Sequence, residues 1–269
     1  MKLADVFGVR SAVKRLSYEA YERKLMAESY GWDKPCHLGI IMDGNRRFAR
    51  DAGADDVVEG HFAGADKLEE VLDWCGELAI DVVTAWIFSI DNFARAEGEV
   101  EGLMDLFQRK FLELVTSKKI HNNRIRIRSI GRVNLLPERV QLAIRAAEKS
   151  TAHYQRRLLN VGVAYGGREE IVDAVKQRLA EAAARGESLE HLAASLCEAD
   201  IDRHVYSADV PEPDLILRTS GELRLSGFLL WQSARSELYF TDANWPALRK
   251  IDFLRALRAY DRRQRRFGR

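Results

Sequence analysis

Short apolar runs alternate along this chain with longer stretches in which apolar residues return every three or four positions. The runs His37–Met42, Val82–Phe88, Arg124–Ile130, Leu158–Ala164 and Leu215–Arg218, with a sixth at Glu237–Phe240, have the length and side-chain character of strands. Helical patterns separate most of them. Leu103, Leu106, Phe107, Phe111 and Leu114 share one helical face, and Glu169 to Arg185 reads as an amphipathic helix stopped by Gly186. Strands separated by helices are what parallel crossovers require. The pattern therefore predicts an α/β protein: a single domain with a mostly parallel central sheet of about six strands flanked by helices. Residues 1–34 read as an N-terminal helical segment ahead of the main domain, 35–269. Within that segment Leu16, Tyr21, Leu25 and Met26 place apolar groups on one side of a charged helix. That side has two readings, packing on the protein body or peripheral contact with a membrane.

Composition narrows the class. A chain of 269 residues, 46% of them hydrophobic, is long enough for one large core. Its formal charge of +1 supplies no global attraction for nucleic acid, so none is expected as a partner, although Arg262 to Arg269 is a dense basic tail. Cys36, Cys75 and Cys197 are odd in number and far apart, without Cys-x-x-Cys spacing, which suggests neither a zinc site nor a disulfide framework. No window is apolar for long enough to span a bilayer, and the first residues lack a signal-peptide core. A reducing, cytoplasmic setting is expected.

The densest chemistry lies in His37 to Arg50, where an apolar strand empties into Asp43-Gly44-Asn45-Arg46-Arg47-Phe48. Gly44 lets the backbone bend close to a ligand, a following helix offers free N–H groups, and the two arginines add charge. Asp43 suits a phosphate site if a divalent cation bridges it to the anion, or if it handles a proton nearby. The same letters also make an ordinary surface turn followed by a solvated basic helix.

Further segments resolve this choice through their likeness to a family. Gly60-His61 with Ala63-Gly64, Phe88-Ser89-Ile90-Asp91-Asn92-Phe93-Ala94-Arg95, and Asn160 with Tyr165-Gly166-Gly167-Arg168 follow in order. Asp214-Leu215-Ile216-Leu217-Arg218-Thr219-Ser220-Gly221-Glu222 comes next, then Arg224, Ser226, Phe228 to Gln232, Glu237, Tyr239-Phe240 and Trp245-Pro246. Collinear motifs over residues 35–268 are hard to obtain by chance. The chain resembles the cis-prenyltransferases, the family that includes undecaprenyl diphosphate synthase.

The resemblance implies a homodimeric, Mg2+-dependent enzyme that condenses isopentenyl diphosphate with an allylic diphosphate, sheltering the growing hydrocarbon in an apolar tunnel. Carried over by matching position, Asp43 is the central carboxylate and a metal-linked group. Gly44, Asn45, Arg46, Arg47 and Phe48 cradle the allylic diphosphate with help from His61. Asn92 resembles an asparagine that assists proton removal, with Ser89, Asp91, Phe93 and Arg95 nearby. Arg218, Arg224 and Ser226 match the isopentenyl diphosphate site, and Glu237 matches a second metal-associated carboxylate. Arg266-Phe267-Gly268 matches a C-terminal Arg-x-Gly that completes a diphosphate site in the dimer. In an extended loop, Arg224 and Ser226 would point the same way.

Four positions qualify the match. Many bacterial members carry Gly at the position of Arg46 and Trp at those of Phe48 and Phe93. They also carry an arginine where this chain has Val57, a contact that Arg46 is placed to replace. The run Asp55-Asp56-Val57-Val58-Glu59 imitates the Asp-Asp-x-x-Asp of the unrelated, all-helical trans-prenyltransferases; lacking a second copy, it reads as a solvated acidic loop. Leu68, Val71, Leu72, the Leu103 to Leu114 face and the Val82–Phe88 strand are the expected tunnel lining. Leu159 to Arg168 and Lys250 to Gly268 look most like archaeal long-chain members, which use geranylgeranyl diphosphate and supply glycosyl carrier lipid. A short-chain synthase and a non-catalytic partner subunit are the alternatives.

Overall fold

The computed structural model describes residues 18–263. After a first helix, α1 (residues 18–29), the chain runs β1 (His37–Ile41), α2 (Asn45–Asp51), α3 (Val58–Glu77), β2 (Val82–Ser89), α4 (Glu97–Thr116), α5 (Lys118–Asn122), β3 (Ile125–Ile130) and α6 (Glu138–Thr151). It continues through β4 (Arg157–Tyr165), α7 (Gly167–Ala184), α8 (Leu189–Ser195), α9 (Glu198–Asp202), β5 (Leu215–Arg218), β6 (Glu237–Phe240) and α10 (Lys250–Asp261). The six strands form one sheet in the order β3-β4-β2-β1-β5-β6, every neighbouring pair parallel. Each strand lies within one residue of its predicted bounds at either end.

Continuous burial explains why the strands are so legible. β1 is buried at all five positions, the mark of a central parallel strand covered on both faces. One face packs Leu38 and Ile40 with Val71, Leu103, Phe107, Val140 and Leu254 into the main core. The other face packs Ile41, Ile130, Ile216 and Tyr165 against Phe228 and Leu229. Leu25 of α1 is fully buried in the main core, with Tyr21 and Met26 packed against it, so this helix rests on the protein body.

The sheet has its topological switch at β1, since the chain leaves β1 toward β2 on one side and returns to β5 on the other. Open α/β sheets bind ligands beyond the carboxyl ends of strands at such a point. Asp43 follows β1 and Arg218 ends β5, so the two prime chemical positions flank one crevice.

α7 departs from its sequence reading. Gly186 does terminate it, with φ of +69°. Its buried stripe, however, is Glu170, Ala174, Arg178 and Ala182, while Val172 and Leu179 are exposed. A polar network replaces the expected apolar seam. Glu170 accepts from the Tyr165 hydroxyl, the Gln232 amide and the Tyr206 N–H, and Arg178 pairs with Glu187 and Asp200.

Candidate active site

The backbone around Asp43 is fixed before its side chain is considered. Its N–H donates to the Thr219 hydroxyl (3.0 Å), which in turn donates to the Asp43 carbonyl (2.6 Å). That carbonyl also accepts from the Trp245 N–H at 2.9 Å. Gly44 then takes a φ of +102°, and a Cβ there would overlap Asn244. Only glycine meets both demands.

Two guanidinium groups hold the Asp43 carboxylate. Arg218 donates to Oδ2 at 2.8 Å, and Arg47 to Oδ1 at 3.2 Å. Burial pushes the carboxyl up, but the Arg218 hydrogen bond and the charges of Arg218 and Arg47 outweigh it and hold the group below the usual aspartate value. Arg218 is only 4% exposed and extends its other nitrogen to Ser226 Oγ at 2.8 Å and to the Arg224 carbonyl. Arg224 reaches the same hydroxyl from outside, at 3.2 Å. Arg218, Arg224 and Ser226 thus converge as expected, although through a turn: Ser226 adopts φ of +51° in place of an extended strand-like path.

On the other flank, Met42 to Arg47 with Arg50, His61 and Arg95 enclose a polar pocket of about 250 Å³. Four arginines facing one aspartate make it a site for anions. Glu99, which sequence reasoning passed over, organises the floor: Arg95 lies at 3.0 Å, Arg46 at 3.5 Å and His61 at 3.5 Å from one carboxylate oxygen. Its signal was present as an arginine and a glutamate four residues apart at a helix start. Burial, followed by the Arg95 charge, lowers His61 to about 4 against the opposing pull of Glu99, leaving the imidazole neutral at pH 7. Arg46 lines this pocket and Val57 does not.

Local packing places the remaining residues. Gly60 and Gly64 let α3 approach α2 so closely that a Cβ on either would overlap Asn45. His61, between them, faces both cavities. Ser89 and Asn92 cap a short 3₁₀ turn reciprocally, the Asn92 amide oxygen accepting from the Ser89 N–H at 3.0 Å. Phe93 meets Phe88 edge-on at 4.8 Å, Phe48 is half-buried on α2, and Asp91 is exposed. Asp56 accepts from the Val58 N–H at 2.8 Å, so the imitation acidic motif starts α3.

An apolar cavity of about 90 Å³ opens off the polar pocket and shares Met42, Asn45 and His61 with it. Leu68, Leu72, Ile87, Leu103, Leu106, Phe107, Phe111 and Leu114 line it as the sequence predicts, joined by Leu159 and Val161. Val71 instead packs into the core.

Glu237 does not join Asp43. The register sets it level with Leu215 and Leu38, at the opposite end of the parallel sheet, roughly 10 Å below the carboxyl ends. There it pairs with Arg263. Among the described residues no cluster of three His, Cys, Asp or Glu groups is arranged to hold a metal. Arg266 and its motif lie outside the described residues.

A carboxylate between two arginine-rich cradles, with an apolar cavity opening beside it, has the charge and shape that prenyl diphosphate chemistry needs. The family described as putative undecaprenyl diphosphate synthase matches residues 41–268. An isoprenyl transferase from Thermus thermophilus is 51% identical over 96% of this chain and 98% of its own. The Methanocaldococcus jannaschii tritrans,polycis-undecaprenyl-diphosphate synthase (geranylgeranyl-diphosphate specific) is also 51% identical, over 91% and 87%. Among solved structures, lavandulyl diphosphate synthase from Lavandula x intermedia in complex with dimethylallyl diphosphate matches with a TM-score of 0.79 at 35% identity, covering 88% of this chain and 99% of that one. The chain belongs to the undecaprenyl diphosphate synthase family and is a cis-prenyltransferase.

Proposed function

We propose that this enzyme elongates geranylgeranyl or farnesyl diphosphate with successive isopentenyl diphosphates to a long-chain Z-polyprenyl diphosphate, a precursor of glycosyl carrier lipid. The observation that carries this reading is Asp43, gripped by Arg218 of one cradle and Arg47 of the other. Arg46, Arg47 and Arg95 suit the allylic diphosphate, whose hydrocarbon then enters the adjoining cavity. Arg218, Arg224 and Ser226 suit the diphosphate of isopentenyl diphosphate. Reaction forms a bond between C4 of isopentenyl diphosphate and C1 of the allylic partner, breaks the C1–O bond to release diphosphate, and transfers a proton from C2 to the released diphosphate or a water, leaving a C2–C3 double bond. The arginines stabilise the negative charge that builds on the leaving diphosphate. Asn92 stays an amide held by its cap, so its part is to orient a substrate oxygen or a water.

Mg2+ fits the donor set in one form. It commonly takes one or two carboxylates and completes its shell with substrate phosphates and water. Asp43 offers one hard oxygen donor. When bound, the ion supplies further charge neutralisation at the diphosphates. Glu237 of the same chain is too distant to share it, so a metal role for Glu237 requires a second copy, in keeping with a homodimer. The same dimer gives Arg266 a route to a diphosphate site. No helix among the described residues is long and apolar enough to cross a membrane. We place the protein in the cytoplasm, with peripheral membrane contact at product release.

The test is to supply Mg2+ and labelled isopentenyl diphosphate with geranyl, farnesyl or geranylgeranyl diphosphate and to size the products. Long products, best from geranylgeranyl diphosphate, are expected. A single short product would place the enzyme in the short-chain class, and no product from any primer would leave the partner-subunit reading.

A further inference from the structure

The apolar cavity has two charged residues in its wall, Glu69 of α3 and Lys110 of α4. Both stand where the two helices run past each other on the outer side of the cavity. The Lys110 ammonium lies 2.8 Å from Asp66 and 3.5 Å from Glu69 on α3, and 3.1 Å from Glu113 on its own helix. Its side chain is 23% exposed, and that of Asp66 70%. The same group therefore touches the cavity on one side and water on the other. Close by, the Arg109 guanidinium lies over the Phe62 ring at 4.2 Å, a second bridge between the two helices.

The rest of the lining is mostly apolar, with Leu103, Phe107 and Leu159 buried. An ion pair is a poor seal against a hydrocarbon for two reasons. It offers little apolar contact, and an exposed pair contributes little net stability because water screens it. A side chain with a flexible stem can also swing outward without unfolding either helix.

Resting on the long-chain reading above, we propose that Lys110, clasped to Asp66 and Glu69, is a charged side gate between α3 and α4 that sets product length. A growing chain that fills the cavity meets this clasp. It either stalls there or displaces Lys110 and passes out between the helices. Clasp strength then acts on the number of condensations and leaves the chemistry at Asp43 untouched.

Lys110→Glu places a fourth carboxylate among Asp66, Glu69 and Glu113 and opens the gate by repulsion. Its products should shift by at least one isoprene unit, with the fraction longer than the main wild-type product rising about threefold. Lys110→Arg should keep the wild-type distribution, and the rate of the first condensation should stay within twofold in both. A detergent micelle able to accept the emerging tail should enlarge the shift for Lys110→Glu. Asp66→Asn with Glu69→Gln removes the clasp at exposed positions and should lengthen the product in the same way, which guards against a fold defect in Lys110→Glu. Normal elongation with an unchanged length distribution in both the reversed and the neutralised enzymes would overturn the gate alone. Absence of elongation by the wild type would overturn the long-chain reading and the gate with it.

Discussion

Glu99 is 8% exposed and lies beside the exposed Arg46, the partly buried Arg95 and the neutral His61, so its charge offsets those of the two arginines. Glu99→Gln would leave positive charge in the pocket floor without compensation. The expected result is a stability loss of about 1–3 kcal/mol by denaturant titration. The KM for the allylic diphosphate should rise severalfold as Arg46 and Arg95 lose their anchor, with a smaller change in kcat. His61 makes the pocket sensitive to acid. Folded, it titrates at about 4, against an ordinary value of 6.5. Below pH 6.5 the unfolded chain takes up a proton that the folded chain refuses, so stability falls with pH until about 4. The loss amounts to about 3 kcal/mol from this group. His37, buried between the Pro211 carbonyl and Thr84, is shifted the same way by its burial and adds to the effect. Melting temperature followed from pH 7.5 to 4.5 should drop, and His61→Gln should flatten the lower part of the curve.

At the scale of elements, the contact between α2 and α3 decides whether the anion pocket exists. Gly60→Ala puts a methyl group onto the Asn45 carbonyl, and Gly64→Ala one onto its side chain. Either should lower stability by roughly 1–3 kcal/mol, the ordinary cost of overpacking. Each should also weaken the allylic substrate more than isopentenyl diphosphate, because the Arg218 side of the crevice does not rest on α3. Comparing the two KM values in the Gly64→Ala enzyme checks this. The strands were legible in the sequence because a parallel sheet covered on both faces demands unbroken apolar runs such as Leu38 to Ile41. The buried face of α7 was not, because Glu170 and Arg178 reach buried partners through a fold that no local periodicity encodes. The convergence of Arg218, Arg224 and Ser226 was visible as a motif, whereas the left-handed turn at Ser226 that achieves it was not. Glu237 shows the opposite failing. Its motif is clear, but only the register shows that three residues of strand separate it from the level of the site.

For the whole molecule, the sheet's switch point gathers residues from distant parts of the chain into one crevice: Asp43, Arg95, Arg218 and Ser226. The main domain therefore has to be intact for any partial activity to appear. In the proposed homodimer, the separation of Asp43 and Glu237 within one chain would make self-association a matter for the chemistry as well as for stability. Truncation before Arg265 should leave the melting temperature within a few degrees of the intact chain, while turnover of isopentenyl diphosphate falls by at least tenfold. An unchanged rate would remove the C-terminal Arg-x-Gly from the site. The central claim is that Asp43, shared between two diphosphate cradles, is the group on which prenyl transfer turns. Its most direct test is the single-turnover rate of isopentenyl diphosphate condensation by Asp43→Asn, measured with Mg2+ and saturating geranylgeranyl diphosphate beside the wild type. A fall of about three orders of magnitude or more with the folded state retained is the predicted result. A rate within tenfold of wild type would contradict it.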